Sequence, residues 1–247
     1  MKKYLALLLS LVMIGTLAAC GSSGTAGQTG SAGSVTSGNT EAPQASPSDD
    51  GTAPAPSSGK TLVAYFAYSE NMGDTSGMEV DAITSASLNR RTNNTEGNLQ
   101  VMAQIIEEET GADVFHILME QPYDPDYSTM LPTAIEQMES KDWPALQESI
   151  ENLADYDVIY LGTPVWNNVL PPAMQTFFAE NDLSGKTIIP FGIHLGSGFG
   201  RMISEMKDLA PESTVLDGFT INASTSNDEV ASEFRDWMVE QGLTEKH

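Results

Sequence analysis

The sequence predicts an α/β domain with a doubly wound parallel sheet. Short apolar runs, each too short to form a helix, alternate with longer segments in which apolar residues recur at helical spacing. Five such runs occur between residues 60 and 247, and some are almost continuously apolar, as strands buried on both faces require. This alternation is typical of a doubly wound sheet, where ligands lie beyond the carboxyl ends of the strands.

The first predicted strand covers residues 61–67, where apolar and β-favouring residues are nearly continuous. A long polar stretch follows this strand. The next element is a predicted helix in which Leu99, Met102 and Ile106 recur at helical spacing. Gly111 is expected to end the helix, because glycine suits a C-terminal helix boundary.

The middle of the domain contains two more predicted strands, over residues 114–118 and 158–161. Predicted helices over residues 132–139 and 145–153 lie between them. Both strands and both helices are assigned from the spacing of their apolar residues.

Proline and apolar spacing define the elements that follow. A helix is predicted to open at Pro171-Pro172, since proline in the first turn lacks only a donor that would have no partner there. Residues 187–193 form the fourth predicted strand, and the helix after it is expected to end at Pro211.

The fifth predicted strand begins at Val215 or Phe219 and ends at Ile221. The last helix is predicted to start at Ser226, because Ser226 and Glu229 have the spacing of a capping box. The five strands and their helices together account for the whole predicted domain.

The N-terminus has the pattern of an export signal. Lys2 and Lys3 precede an apolar run that is too short to span a bilayer comfortably, so residues 1–19 are predicted to be a signal peptide. The segment Leu17-Ala-Ala-Cys20 resembles the bacterial lipoprotein signal. That resemblance implies that Cys20 is lipidated and anchors the exported protein to the extracytoplasmic face of the cell membrane. Cys20 is also the only cysteine, which excludes a structural disulfide within the chain.

Composition separates a tether from a folded domain. Residues 20–59 are rich in Gly, Ser and Pro without apolar periodicity, and we expect a disordered tether before a single domain at residues 60–247. The net charge of −23 makes nucleic acid and anionic lipid headgroups poor partners, so the expected membrane contact is the lipid anchor alone. The same charge suits a partner with a cationic surface, and it also suits simple solubility.

Two loops late in the chain predict a binding site. The loop after the third strand carries Trp166, and the loop after the fourth strand is glycine-rich between His194 and Arg201. An indole next to exposed backbone suits a planar aromatic ligand, which needs a stacking face and polar contacts along its edge. The alternative is that Trp166 belongs to the core and that the glycines only form turns.

These loops carry a family resemblance. The motifs Gly162-Thr-Pro-Val-Trp166 and His194-Leu-Gly-Ser-Gly-Phe-Gly-Arg201 resemble those of a branch of flavodoxin-like domains, and Tyr123-Asp-Pro-Asp-Tyr127 resembles a tyrosine-rich turn of the same branch. The resemblance covers nearly all of the predicted domain. It implies a five-stranded parallel sheet in the order 2-1-3-4-5, with helices on both faces and flavin mononucleotide (FMN) at the carboxyl edge.

The resemblance also implies which residues bind the cofactor, in three groups. One group flanks the isoalloxazine ring, a second lies along its polar rim, and a third lies where the first helix begins, at the phosphate. In that order the groups are Thr163, Pro164, Val165 and Trp166; His194, Gly196, Ser197 and Gly198; and Ser69, Asn71, Gly97 and Asn98. His194 is read as a loop residue that holds backbone, and no catalytic residue and no metal site is predicted.

The chain departs from the family pattern in the first loop. Residues 70–96 are an insertion, and Leu99 stands where the family has a hydroxyl residue, which removes one phosphate hydrogen bond worth about 1–3 kcal/mol. Within the insertion, residues 81–87 partly resemble the signature at which exported bacterial redox proteins carry covalent FMN, with Ser87 as the attachment point. An ordinary loop of small residues is the alternative. His116 lies in an apolar run and is interpreted as a core histidine.

Two functions remain open from the sequence. The first is a lipid-anchored flavoprotein outside the cytoplasm that transfers electrons to an unidentified redox partner or reduces a small acceptor; whether it is an enzyme is left open. The second is a non-catalytic lipoprotein that binds another planar ligand, or a protein partner, at the same edge. The two strand-end loops favour the first, whereas Leu99 and the insertion favour the second.

Overall fold

The structure is a computed structural model that describes residues 59–74 and 97–244, apart from the Tyr127 side chain. The signal peptide, Cys20, the tether as far as residue 58 and Ser87 lie outside the described residues. The sequence-based statements about these segments therefore stay predictions.

The described chain contains six strands that form one parallel sheet. Their order is β2-β1-β3-β4-β5, and β6 also pairs with β4. The predicted strand order is thus confirmed. The strands are β1 (Lys60–Tyr65), β2 (Asp113–His116), β3 (Tyr156–Pro164), β4 (Thr187–His194), β5 (Thr214–Val215) and β6 (Phe219–Asn222).

The last position in the sheet is shared by β5 and β6, which the sequence predicted as one strand. Both segments pair with β4, and Gly218 between them has φ +73°. A Cβ atom at Gly218 would lie 2.1 Å from the carbonyl oxygen of Pro190, so only glycine fits this close approach. The bend divides the strand without changing its place in the sheet.

Helices cover both faces of the sheet, as predicted. On one face the core contains Leu99, Met102 and Ile106 from the first helix, packed with Val230 and Phe234 from the last. On the other face the core contains buried residues of the three helices between them. The helices are α1 (Asn98–Thr110), α2 (Tyr127–Ser140), α3 (Pro172–Glu180), α4 (Met202–Leu209) and α5 (Asn227–Glu240). Across the described ranges, no helix combines the length and the apolar character that crossing a membrane requires.

One helix prediction in the middle of the chain was wrong, and another covers only part of the observed helix. Residues 145–153 are not an α-helix: Leu146 forms a bridge with Met119, and the Gln147 N–H donates to the Leu118 carbonyl at 2.8 Å. Apolar side chains of this extended segment reach the core at intervals that resemble helical spacing. The helix predicted over residues 132–139 in fact begins at Tyr127, because the Asp126 carboxylate accepts the Ser128 N–H at 2.8 Å and caps it.

Two predicted helix boundaries have different outcomes. Gly111 ends α1 in the left-handed conformation with φ +68°, so that prediction is confirmed. Ser226 does precede α5, but its side chain makes no bond to the helix backbone. Its hydroxyl instead donates to the Glu229 carboxylate at 3.2 Å, so the predicted capping box is not formed.

Candidate functional site

The loops that follow β3 and β4 lie side by side. Thr163 and Pro164 of β3 are in register with Gly192 and Ile193 of β4. Beyond the strands, the Arg201 N–H donates to the Asn168 carbonyl oxygen at 2.7 Å. The prediction that the two loops project from neighbouring strands is therefore confirmed.

Trp166 belongs to an aromatic cluster of four rings, Phe66, Tyr68, Tyr123 and Trp166. Its indole lies 5.9 Å from the Phe66 and Tyr68 rings and 5.5 Å from the Tyr123 ring, measured between centroids. The Trp166 side chain is only half-buried, so one part packs on the core while another part stays accessible. The two interpretations of Trp166 are thus compatible, because the residue packs on the core and is also partly exposed.

A tight turn holds Trp166 in place. Its N–H donates to the Val169 carbonyl at 3.1 Å, and the Val169 N–H donates to the Trp166 carbonyl at 2.9 Å. Between them Asn167 and Asn168 both have positive φ, 50° and 65°. Asparagine tolerates this left-handed conformation better than most residues do, so the Asn-Asn pair is the sequence signal for the turn.

The loop after β4 presents exposed backbone. Gly196 has φ +111° and Gly198 has φ +58°, and a Cβ atom at either position would meet nothing within 4 Å. Ser197 between them is exposed, and its hydroxyl donates to the Gly198 carbonyl at 3.1 Å. The Gly196 N–H donates to His194 Nδ1 at 2.8 Å. Partial burial lowers the pKa of His194, which keeps Nδ1 unprotonated and available as an acceptor.

Three of the four residues implied to flank the ring are buried in the protein. Thr163 is fully buried, and its hydroxyl donates to the Pro164 carbonyl at 3.2 Å. Pro164 is buried in β3, and Val165 belongs to the core. The Thr163 side chain is therefore not exposed at the surface of this structure. Trp166 is the accessible member of this group.

The Asn71 side chain is fully engaged inside the protein. Both hydrogens of its side-chain amide are donated, to the Ala67 carbonyl at 2.9 Å and to the Ile117 carbonyl at 3.0 Å. Its Oδ1 accepts the Met119 N–H at 2.7 Å, and the residue is 1% exposed. Asn71 joins the chain after β1 to the chain after β2, and no side-chain donor remains for a phosphate.

The implied phosphate residues at the start of α1 are also engaged. The Gly97 N–H donates to Gln100 Oε1 at 2.7 Å. Asn98 is 2% exposed, and its amide donates to the Thr225 carbonyl at 3.0 Å, which joins α1 to the loop after β6. Ser69 differs from these residues: its hydroxyl oxygen is buried without a hydrogen-bond partner in the described part of the chain. Of the implied phosphate set, Ser69 is the residue with an uncommitted side-chain donor.

A polar cluster at the carboxyl ends of β1 and β2 was not predicted. We call Tyr65, Glu70, Gln100 and His116 the Glu70 cluster. Glu70 Oε1 accepts from the Tyr65 hydroxyl at 3.1 Å and from Gln100 Nε2 at 3.0 Å, and it lies 3.1 Å from His116 Nδ1. Burial, reinforced by Glu70, raises the pKa of Tyr65 far above its ordinary value, so its hydroxyl stays protonated.

The Glu70 cluster corrects the interpretation of His116 as a core residue. Its side chain is 47% exposed, whereas that of Glu70 is 17% exposed. β2 is an edge strand and His116 is its last residue, so the ring lies at the boundary of the sheet. The only sequence signal for this cluster was the position of Glu70, a few residues after the first predicted strand.

Comparison with known proteins supports this architecture. The model of a family described as Flavodoxin matches residues 92–239. A candidate flavoprotein from Bacteroides eggerthii has 23% identity and a TM-score of 0.53, and the alignment covers 74% of this chain and 98% of that one. A candidate flavoprotein from Bacteroides uniformis has 26% identity and a TM-score of 0.51, over 72% and 98% of the two chains. A Lactobacillus acidophilus flavoprotein solved with FMN has 20% identity and a TM-score of 0.49, over 73% and 99%. No curated protein matches the chain.

Proposed function

We propose a function from the premise that this chain belongs to the flavodoxin family, whose model matches more than half of its residues. The proposed ligand is FMN, held at the carboxyl edge of the sheet. The proposed role is electron transfer, or reduction of a small acceptor, outside the cytoplasm. Bound FMN would supply the electron chemistry, while the protein binds and orients the cofactor and tunes its electronics.

The observation that carries the proposal is the position of Trp166 relative to the glycine loop. Trp166 is partly exposed after β3, and the open backbone of Gly196 and Gly198 follows the neighbouring strand β4. A flat heterocycle between them would have an aromatic contact and polar backbone along its rim. Ser69 follows β1, and its buried hydroxyl oxygen has no hydrogen-bond partner among the described residues.

The residues around the site suit a low reduction potential. The chain has a net charge of −23, and negative charge near a flavin makes the addition of electrons less favourable. Trp166 and its aromatic cluster add an apolar boundary on one side. The redox partner that suits this surface is one with a cationic face, since opposite charges steer association.

The second candidate function has a specific observation in its favour. The amides of Asn71 and Asn98 are engaged in the protein and Glu70 lies close to the start of α1, so the described residues there offer few side-chain donors to a phosphate. A binding protein for another planar ligand, or for a protein partner at the same edge, would not need those donors. Direct ligand titration separates the two candidates.

The test is titration of the full mature chain with FMN, followed by flavin absorbance and tryptophan fluorescence. The proposal expects saturable binding with quenching of tryptophan emission. A protein that is purified without flavin and then fails to bind added FMN would overturn it. Binding of a different planar compound in its place would support the second candidate.

The location is part of the proposal. A signal at residues 1–19 and lipidation at Cys20 would leave the domain on a Gly/Ser/Pro-rich tether outside the cytoplasm. Expression of the Cys20→Ala variant in a bacterial host tests this location. The variant should leave the membrane fraction and lose incorporation of labelled fatty acid, whereas an unchanged membrane fraction would contradict the lipid anchor.

Covalent attachment of FMN at Ser87 remains a separate proposal, supported by the partial match at residues 81–87. A mass spectrum of the protein from its native host should show an increment of one flavin, and the Ser87→Ala variant should lack it. The unmodified mass in the unaltered protein would end this proposal and leave the non-covalent site untouched.

A further inference from the structure

A carboxylate of the protein lies next to the start of α1. Gln100 is the third residue of α1, and its Oε1 accepts the Gly97 N–H at 2.7 Å while its Nε2 donates to Glu70 Oε1 at 3.0 Å. Glu70 is therefore linked to the helix N-terminus through a single side-chain amide. Helix N-termini favour negative charge, because their backbone N–H groups and the helix dipole point toward it.

The environment of Glu70 keeps the carboxylate in this place. The Tyr65 hydroxyl of β1 donates to it at 3.1 Å, and the His116 ring at the end of β2 lies 3.1 Å away. Groups on three elements, β1, β2 and α1, thus surround the carboxylate. Its side chain is only 17% exposed, so water screens its charge less than it would screen that of a surface glutamate.

Among the residues that the structure describes, those near the start of α1 disfavour a ligand phosphate. A phosphate monoester carries close to two negative charges at neutral pH, and Glu70 would repel it. The amides of Asn71 and Asn98 cannot offset this repulsion, since they already donate to backbone carbonyls. An uncharged end of the same ligand would not be repelled.

We propose that Glu70 determines the specificity of the site by selecting against the flavin phosphate. As a result, the site would bind riboflavin nearly as well as FMN. This inference rests on the proposed function, because it requires that a flavin binds at the sheet edge. Beyond the proposed function, the inference specifies which flavin the site accepts and which residue is responsible.

The experiment compares the affinities of the full mature chain for FMN and for riboflavin at one ionic strength. In the wild type, the dissociation constant for riboflavin should exceed that for FMN by less than about tenfold, which corresponds to about 1.4 kcal/mol of binding free energy. Glu70→Gln keeps an oxygen acceptor for Tyr65 and Gln100 but removes the charge. This variant should bind FMN at least about tenfold more tightly than the wild type does, and its affinity for riboflavin should be unchanged.

Glu212→Gln is the matched control. Glu212 is an exposed residue just before β5, at the opposite end of the strands, so this variant removes the same charge far from α1. It should leave the FMN to riboflavin ratio at the wild-type value. An equal gain in both variants would mean that total charge, and not Glu70, determines the preference, and would overturn the inference.

Two further outcomes decide the matter. A wild-type protein that binds FMN more than about a hundredfold tighter than riboflavin would overturn the inference while supporting the proposed function. Failure of every variant to bind either flavin would instead overturn the proposed function. Circular dichroism shows whether Glu70→Gln folds. If it does not, two experiments replace it: the Glu70→Ala variant, and competition between inorganic phosphate and riboflavin for the wild-type protein. Phosphate that displaces riboflavin at millimolar concentration would contradict the inference.

Discussion

The carbonyl oxygen of Asn168 accepts a hydrogen bond of 2.7 Å from the backbone N–H of Arg201. This bond joins the turn after Trp166 to the residue that precedes α4. Gly200 lies against the same turn, since a Cβ atom there would be 2.7 Å from the Asn168 carbonyl oxygen. The two loops of the candidate site therefore form one packed unit.

Substitution at Gly200 tests this packing, with Gly198 as the matched control. Gly200 has φ +57° and Gly198 has φ +58°, so alanine costs about 1–2 kcal/mol of left-handed strain at either position. Only Gly200→Ala adds a collision with Asn168, and this collision should lower the free energy of unfolding by about 1–3 kcal/mol more. Urea denaturation measures both values. Equal losses in the two variants would show that the loops are not in close contact.

The accessible face of Trp166 should contribute to flavin binding. Trp166→Ala removes the aromatic side chain from the loop that packs against the glycine loop, and we expect flavin affinity to fall about tenfold, as loss of about 1.4 kcal/mol would give. Trp237→Phe is the control, because Trp237 stacks on Phe234 within α5 and packs against the core on the other face of the sheet. Fluorescence titration measures both. Unaltered affinity in Trp166→Ala would exclude Trp166 from the binding site.

Ser69 and Asn71 should respond in opposite ways to alanine substitution. Asn71→Ala leaves buried backbone groups of Ala67, Ile117 and Met119 without partners and should cost about 2–4 kcal/mol of stability. Ser69→Ala removes a buried hydroxyl that has no partner in the described ranges, so stability should change by less than about 0.5 kcal/mol. If this hydroxyl contacts the ligand, Ser69→Ala should weaken flavin binding. Thermal unfolding and ligand titration of each variant separate the two effects.

The His194 turn should make flavin binding sensitive to acid. His194 Nδ1 accepts the Gly196 N–H only while unprotonated, and partial burial lowers the pKa of His194 in the fold below its ordinary value. As the pH falls, His194 of the unfolded chain therefore binds its proton at a higher pH than His194 of the folded chain. The contribution of this turn to stability and binding should be complete above about pH 6.5 and decrease as the pH falls below that value.

His194→Asn supplies the control for the acid effect, because asparagine has a side-chain acceptor that does not titrate. Its flavin affinity should change less than that of the wild type between about pH 8 and pH 5. Titrations at several pH values in the same buffer series measure both proteins. An identical pH profile in the two proteins would assign the acid sensitivity to another group.

Sequence reasoning found the strands because their apolar runs are local. Residues 61–67 and 187–193 closely predicted β1 and β4, and Gly111 predicted the end of α1. The failure at residues 145–153 has a physical reason. Apolar side chains can reach a core from an extended segment at nearly the same spacing as from a helix, so spacing alone cannot distinguish them.

The candidate site was predicted in part. The adjacency of the Trp166 loop and the glycine loop follows from strand order in a parallel sheet, and it is present in the structure. The sequence did not reveal which polar side chains have partners inside the protein. Asn71, Asn98 and Thr163 carry groups that suit a ligand, yet each is buried with partners inside the protein.

The sequence by itself determined the alternation of strands and helices and the two loops at the sheet edge, because periodicity and glycine act over a few neighbouring residues. Only the tertiary structure decided which polar groups remain free. Asn71 bonds to Ile117, 46 residues away, and Asn98 bonds to Thr225, 127 residues away. Glu70 likewise meets His116 only because β1 and β2 pair. Hydrogen-bond partners so distant in the chain are set by packing, and no local pattern encodes them.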